Sequence, residues 1–296
     1  MKTSPRVVAL LGGISLPLAI TSCTTSEPFI PDIETVGEGD DIPSRFFESF
    51  EGGGEESGYH VFELTRDGES YNVQTNPWGG GNQIIRAGDG NAFEVVQMIA
   101  PDGGNDWDVA AYPSVYKGTD QGGFSTQNSG MPIAISDITS VRTGLSTNTR
   151  SITFQGNTTY DVYFTHSPEF SGGPPDNFLM VWFDAEGFNP INSDEGYNCS
   201  SQAPSFVAAC SDEDRIQIQG KVFYRFFGSN GHADVVSYVP TQAMDSWEFD
   251  LKYFIDDSVA RGYLEPDMYL VSIQAGFEMA EGGAGLEVKD FYADVQ

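Results

Sequence analysis

Three carboxyl side chains stand on or beside segments that alternate like β-strands: Asp161 in Thr159–Thr165, Asp176 just ahead of Phe178–Phe183, and Glu278 just beyond Tyr269–Ala275. Along a strand every second side chain points the same way. Leu179, Val181 and Phe183 therefore face one side, and Phe178, Met180 and Trp182 the other. The same parity sets Asp161 with Tyr163, opposite Val162 and Phe164, and groups Gln274, Gly276 and Glu278. Carboxyls held on one face can give and take protons. Trp78, in the glycine-rich run 78–81, would add a flat apolar surface, since a loop leaves it exposed. Trp182 is a second such surface, although packing is the commoner use of tryptophan in a sandwich. His60, His166 and His232 are scattered, with no cysteine at ligand spacing, so no metal is expected. The chain has neither a phosphate-cradling glycine motif with its lysine nor a Gly-x-Ser-x-Gly elbow, and no cofactor is implied.

The elements that must position these groups are short. Segments rich in Val, Ile, Tyr, Phe and Thr recur between Gly, Pro, Asn and Asp clusters: Tyr59–Leu64, Tyr71–Thr75, Phe93–Ile99, Thr159–Thr165, Phe178–Phe183, Ile216–Phe227, Tyr269–Ala275 and Leu286–Val295. That pattern predicts an all-β sandwich or barrel. One segment differs: Leu251, Phe254, Ile255 and Val259 fall at helical spacing and Gly262 follows as a stop.

The N-terminus sets the compartment. Lys2 and Arg6 precede an apolar run, Val7 to Ile20, too short for a stable membrane anchor. Ile20-Thr21-Ser22-Cys23 resembles a bacterial lipobox, so residues 1–22 read as a lipoprotein signal peptide and Cys23 as the lipid acceptor. The expected location is a bacterial membrane, at the cell surface or in the periplasm; an ordinary secretory signal is the alternative. Residues 23–58 hold ten acids against the single base Arg45, with Pro28, Pro31, Pro43 and a glycine run, and read as an acidic, disordered tether. Residues 59–296 read as one domain. A net charge of −29 without a basic stripe excludes nucleic acid and favours a neutral partner. Cys199 and Cys210 are an even pair in an exported chain and are expected to bond, worth about 3 kcal/mol by chain entropy.

From Asp250 to Val295 the run DLKYFIDDSVARGYLEPDMYLVSIQAGFEMAEGGAGLEVKDFYADV resembles the helix, acid/base strand and final strand of the family-12 glycoside hydrolases. TNPWGGGNQ (75–83) is similar to the family's Asn-x-Trp-Gly loop, AYPSVYKG (111–118) to its Tyr-Pro segment, and MPIAISDITSV (131–141) to its next strand. YDVYF (160–164) and LMVWF (179–183) resemble the two strands that flank the nucleophile. The match is interrupted around 192–214. The resemblance implies a β-jelly-roll sandwich of two antiparallel sheets, with a concave glucan cleft and one short helix. It also implies a partner, a β-1,4-linked glucan, lined by Asn76, Trp78, Tyr163, Met180, Trp182 and Gln274.

Retaining hydrolysis needs two carboxyls roughly 5–5.5 Å apart. By resemblance Glu278 is the acid/base and Asp161 sits near the nucleophile, whose own position holds Phe178. A phenyl ring cannot attack an anomeric carbon. Asp176 lies two residues earlier, about 6.5–7 Å along the strand, and could substitute only if a bulge at Asp176-Asn177 re-aimed it. Three functions are therefore open: glucan recognition without retaining hydrolysis, an endo-β-1,4-glucanase working through Asp176 or by inversion through Asp161, and a structural lipoprotein with no sugar ligand.

Overall fold

The computed structural model describes residues 46–53, 60–77, 82–99, 109–149, 152–191, 199–200 and 215–296, the segments 46–53 and 199–200 as backbone only. All belong to one compact unit, Ile33–Gln296. Trp78, Cys23 and Cys210 lie outside the described residues.

In chain order the strands are β1 (Phe46–Gly53), β2 (Val61–Arg66), β3 (Glu69–Gln74), β4 (Asn82–Gly88), β5 (Phe93–Ile99), β6 (Ser114–Gly118), β7 (Ile133–Ala134) and β8 (Val141–Asn148). There follow β9 (Phe154–Thr165), β10 (Asn177–Phe188), β11 (Cys199–Ser200), β12 (Arg215–Ile218), β13 (Lys221–Ser229), β14 (Asp234–Pro240) and β15 (Ser246–Asp250). Helix α1 (Lys252–Arg261) then precedes β16 (Tyr269–Gly282) and β17 (Glu287–Val295).

These strands make the expected sandwich. One sheet has the order β1-β4-β5-β17-β8-β15, and the larger has β12-β13-β14-β10-β9-β16-β6-β3-β2. Pairing is antiparallel except between β10 and β14. Parallel neighbours need a long crossover, and the chain between them supplies it through β11, β12 and β13.

Three elements differ from the sequence expectation. Phe46–Gly53, placed in the tether by its acidic surroundings, pairs with β4 as an edge strand. Ile216–Phe227 is two strands, because Gln219 (φ 47°) and Gly220 (φ 84°) close a two-residue hairpin. Met131–Val141 is not one strand: it divides into β7, a 3-10 turn at Ile135–Asp137 and the first residue of β8.

The inter-sheet core takes Leu179, Val181 and Phe183 from β10, Tyr160, Val162 and Phe164 from β9, and Ile273, Ala275 and Phe277 from β16. Phe254 and Ile255 of α1 join it, and Gly262 ends the helix in the left-handed region at φ 73°. Because these residues all point inward, their alternates form the concave face of the larger sheet.

Candidate functional site

The central strands of that face are β10, β9 and β16. Opposite one another stand Phe178, Tyr163 and Ser272; then Met180, Asp161 and Gln274; then Trp182, Thr159 and Gly276. Beyond a bulge between Trp182 and Asp184 come Ala185, Asn157 and Glu278. The carboxyl and aromatic side chains singled out by parity thus share one face. Gly276 has a structural reason to lack a side chain: a Cβ there would lie 2.0 Å from the Pro113 carbonyl oxygen on the adjoining segment.

Glu278 is half-buried and accepts a 2.6 Å hydrogen bond from Asn157 Nδ2. Burial pushes its carboxyl up to about 7, while the Asn157 hydrogen bond pulls the other way. Asp161 is 5% exposed; burial first, and then the charge of Glu278, hold it well above the ordinary carboxylate range. The two acids are therefore within electrostatic reach of each other. Tyr112, fully buried, is also raised by its burial and by the charges of Asp161 and Glu278.

Phe178 meets Tyr163 edge-on, with ring centroids 5.2 Å apart at 89°. With Met180, Trp182, Phe188, Val235 and Val239 they form a second apolar cluster outside the inter-sheet core. Gln274 is fully buried and accepts from Gln74 Nε2 at 2.9 Å and Ser114 Oγ at 3.4 Å. Asn76 is also buried, with its carbonyl accepting the Tyr112 N–H at 2.9 Å. Asp176 lies one step farther from Glu278 than Phe178 does, and β10 pairs without a bulge from Asn177 to Trp182. Its carboxylate instead accepts the His166 N–H at 2.7 Å and faces His166 Nδ1 at 3.1 Å. That pairing raises the His166 pKa.

Residues 69–296 match the description "Glycosyl hydrolase family 12". This chain belongs to glycosyl hydrolase family 12. Among similar family members, the probable cellulase Cel12b of Mycobacterium tuberculosis is 28% identical over 166 residues, 56% of this chain and 97% of its own length. A probable xyloglucan-specific endo-beta-1,4-glucanase A of Aspergillus fumigatus is 28% identical over 166 residues, 55% of this chain and 62% of its own. The solved endoglucanase cel12A from Rhodothermus marinus is 30% identical, with a TM-score of 0.65 over 80% of this chain and 98% of that one.

On this family-12 scaffold, sequence reasoning overlooked Asn157, the residue that bonds Glu278. Its signal was available, since Asn157 shares the parity of Asp161. Gln74 was overlooked too, and only the pairing of β3 with β6, and of β6 with β16, brings it to the concave face.

Proposed function

We propose that this family-12 chain recognises a neutral β-1,4-linked glucan on its concave face and does not carry out retaining hydrolysis. One observation carries the reading. On that face strand register sets Asn157, Asp161, Gln274 and Glu278 beside Tyr163, Phe178 and Trp182, polar groups and aromatic rings together. A sugar calls for both, hydrogen-bonding groups for its hydroxyls and aromatic rings for its apolar faces. Phe178, Tyr163 and Met180, at 8%, 1% and 7% exposed, are packed within the second apolar cluster, which is the observation that favours the structural rival. Two similar proteins carry the names cellulase and xyloglucan-specific endo-β-1,4-glucanase, which supports a β-1,4-glucan as the ligand.

The catalytic half of the reading rests on Phe178. By family resemblance that position carries the nucleophile, and among the described residues the candidate two positions away, Asp176, is turned to His166. For an inverting route Asp161 would have to ionise against its burial and against the charge of Glu278, both of which raise its pKa. One observation favours the rival endo-β-1,4-glucanase: a Glu278 pKa of about 7 suits a general acid.

The test uses barley β-glucan, carboxymethylcellulose and xyloglucan with wild type, Glu278→Ala and Phe178→Glu side by side. Wild type should bind at least one glucan and release no reducing ends, and cleavage gained by Phe178→Glu would show that the curved face brings position 178 to within about 5.5 Å of Glu278. Robust wild-type cleavage that Glu278→Ala abolishes would overturn the non-catalytic reading; binding to none of the three would overturn glucan recognition. Trp78→Ala should weaken binding by about 1–3 kcal/mol if its indole stacks on a ring.

A further inference from the structure

Phe124 is 48% exposed in the segment joining β6 to β7, one of two large apolar side chains so placed among the described residues. The other, Tyr253, is on α1. The loop carrying Phe124 is braced. Asp120, fully buried, accepts the Phe124 N–H at 2.8 Å on one carboxylate oxygen and faces the Tyr116 hydroxyl at 3.1 Å on the other. The same hydroxyl lies 3.3 Å from the Phe124 carbonyl. Tyr116 has the parity of Ser114, whose hydroxyl meets Gln274, so this brace rises from the concave face.

The loop is also locked to the β9–β10 connection. The Gly173 N–H donates to the Gln121 carbonyl at 2.7 Å, and a Cβ on Gly123 would lie 2.6 Å from the Ser171 carbonyl oxygen. Gln121 Nε2 donates to the Tyr163 hydroxyl at 3.3 Å, and Tyr163 is the ring set edge-on to Phe178. Phe124 is therefore held at the rim of the concave face, at the end that bears Phe178. Tyr163 is six residues along β9 from Asn157, the partner of Glu278, a path of about 20 Å. A ligand must be long to reach both.

We propose that Phe124 is a pre-organised stacking platform for an outer ring of the bound β-1,4-glucan, extending the concave face past Phe178. The inference rests on the glucan-recognition reading. An exposed aromatic on a loop fixed by a buried carboxylate loses little freedom on binding, so its apolar face contributes to affinity.

Calorimetric titration of the full chain with cellotetraose and cellohexaose tests this in wild type, Phe124→Ala and Phe124→Tyr, with melting temperatures to confirm folding. Phe124→Ala should weaken cellohexaose about tenfold, the scale of losing part of an aromatic contact. It should leave cellotetraose nearly unchanged, and Phe124→Tyr should bind as wild type does. Undiminished cellohexaose binding by Phe124→Ala would overturn the platform while leaving glucan recognition standing. Equal weakening of both oligomers would overturn the outer placement, and a wild type that binds neither oligomer would overturn platform and glucan reading together.

Discussion

At Glu278 two influences oppose each other. Burial lifts the carboxyl from its ordinary 4.5 to about 7, and the Asn157 amide, donating at 2.6 Å, restrains the rise. Asn157→Ala removes the restraint, so the Glu278 pKa should climb above 7, readable by carboxyl NMR titration; an unchanged value would mean the amide does not act on the acid. The sign for stability follows from linkage. A carboxyl whose folded pKa is raised contributes stability that is complete below its unfolded pKa and lost as pH rises through the folded one. For a fully buried group that loss would reach about 3 kcal/mol, and for half-buried Glu278 it is smaller. Glu278→Gln, neutral throughout, should thus gain stability over wild type between about pH 5 and pH 8 in urea titrations. Parallel pH profiles of the two proteins would contradict the raised pKa.

The elements tie the back of the larger sheet to the helix through charge. Arg225 of β13, 6% exposed, pairs with Asp257 of α1 at 3.0 Å, and the Tyr238 hydroxyl of β14 donates to the same carboxylate at 2.8 Å. Removing one partner of a buried pair leaves the other charge uncompensated, at a cost of about 3–5 kcal/mol. Asp257→Ala should lose stability on that scale in chemical denaturation. Lys252→Ala, which breaks the exposed pair with Asp256 on the same helix, should lose about 0.5 kcal/mol or less. Similar losses in the two variants would show that the Arg225 pair is not buried in effect.

For the whole molecule the dominant features are a net charge of −29 and the N-terminal run ending at Cys23. Among the described residues no helix is long and apolar enough to cross a membrane, and the proposed attachment is a lipid on Cys23. In a bacterial host, Cys23→Ala should leave the membrane fraction for the soluble one. Retention on membranes after a high-salt wash would refute the lipid anchor. Strong negative charge also disfavours adhesion to anionic surfaces, which is consistent with a neutral polysaccharide as partner.

Alternation in LMVWF and YDVYF was enough to separate Leu179, Val181 and Val162 from Phe178, Met180 and Asp161, because strand parity is a local property of the backbone. Helical spacing and Gly262 likewise marked α1 without reference to the rest of the chain. Parity also placed Glu278 on the same face as Gln274, and the motif run supplied the family. The sequence could not show what each side chain meets across a strand or a loop. Asn157 reaches Glu278 only through the β9–β16 register, and Asp176 meets His166 only through the fold of the β9–β10 connection. The acidic stretch at Phe46–Gly53 reads as solvated chain until β4 offers it an edge. Hydrogen-bond partners, burial and the pKa values they set depend on residues far apart in the chain, so only the tertiary structure decides them.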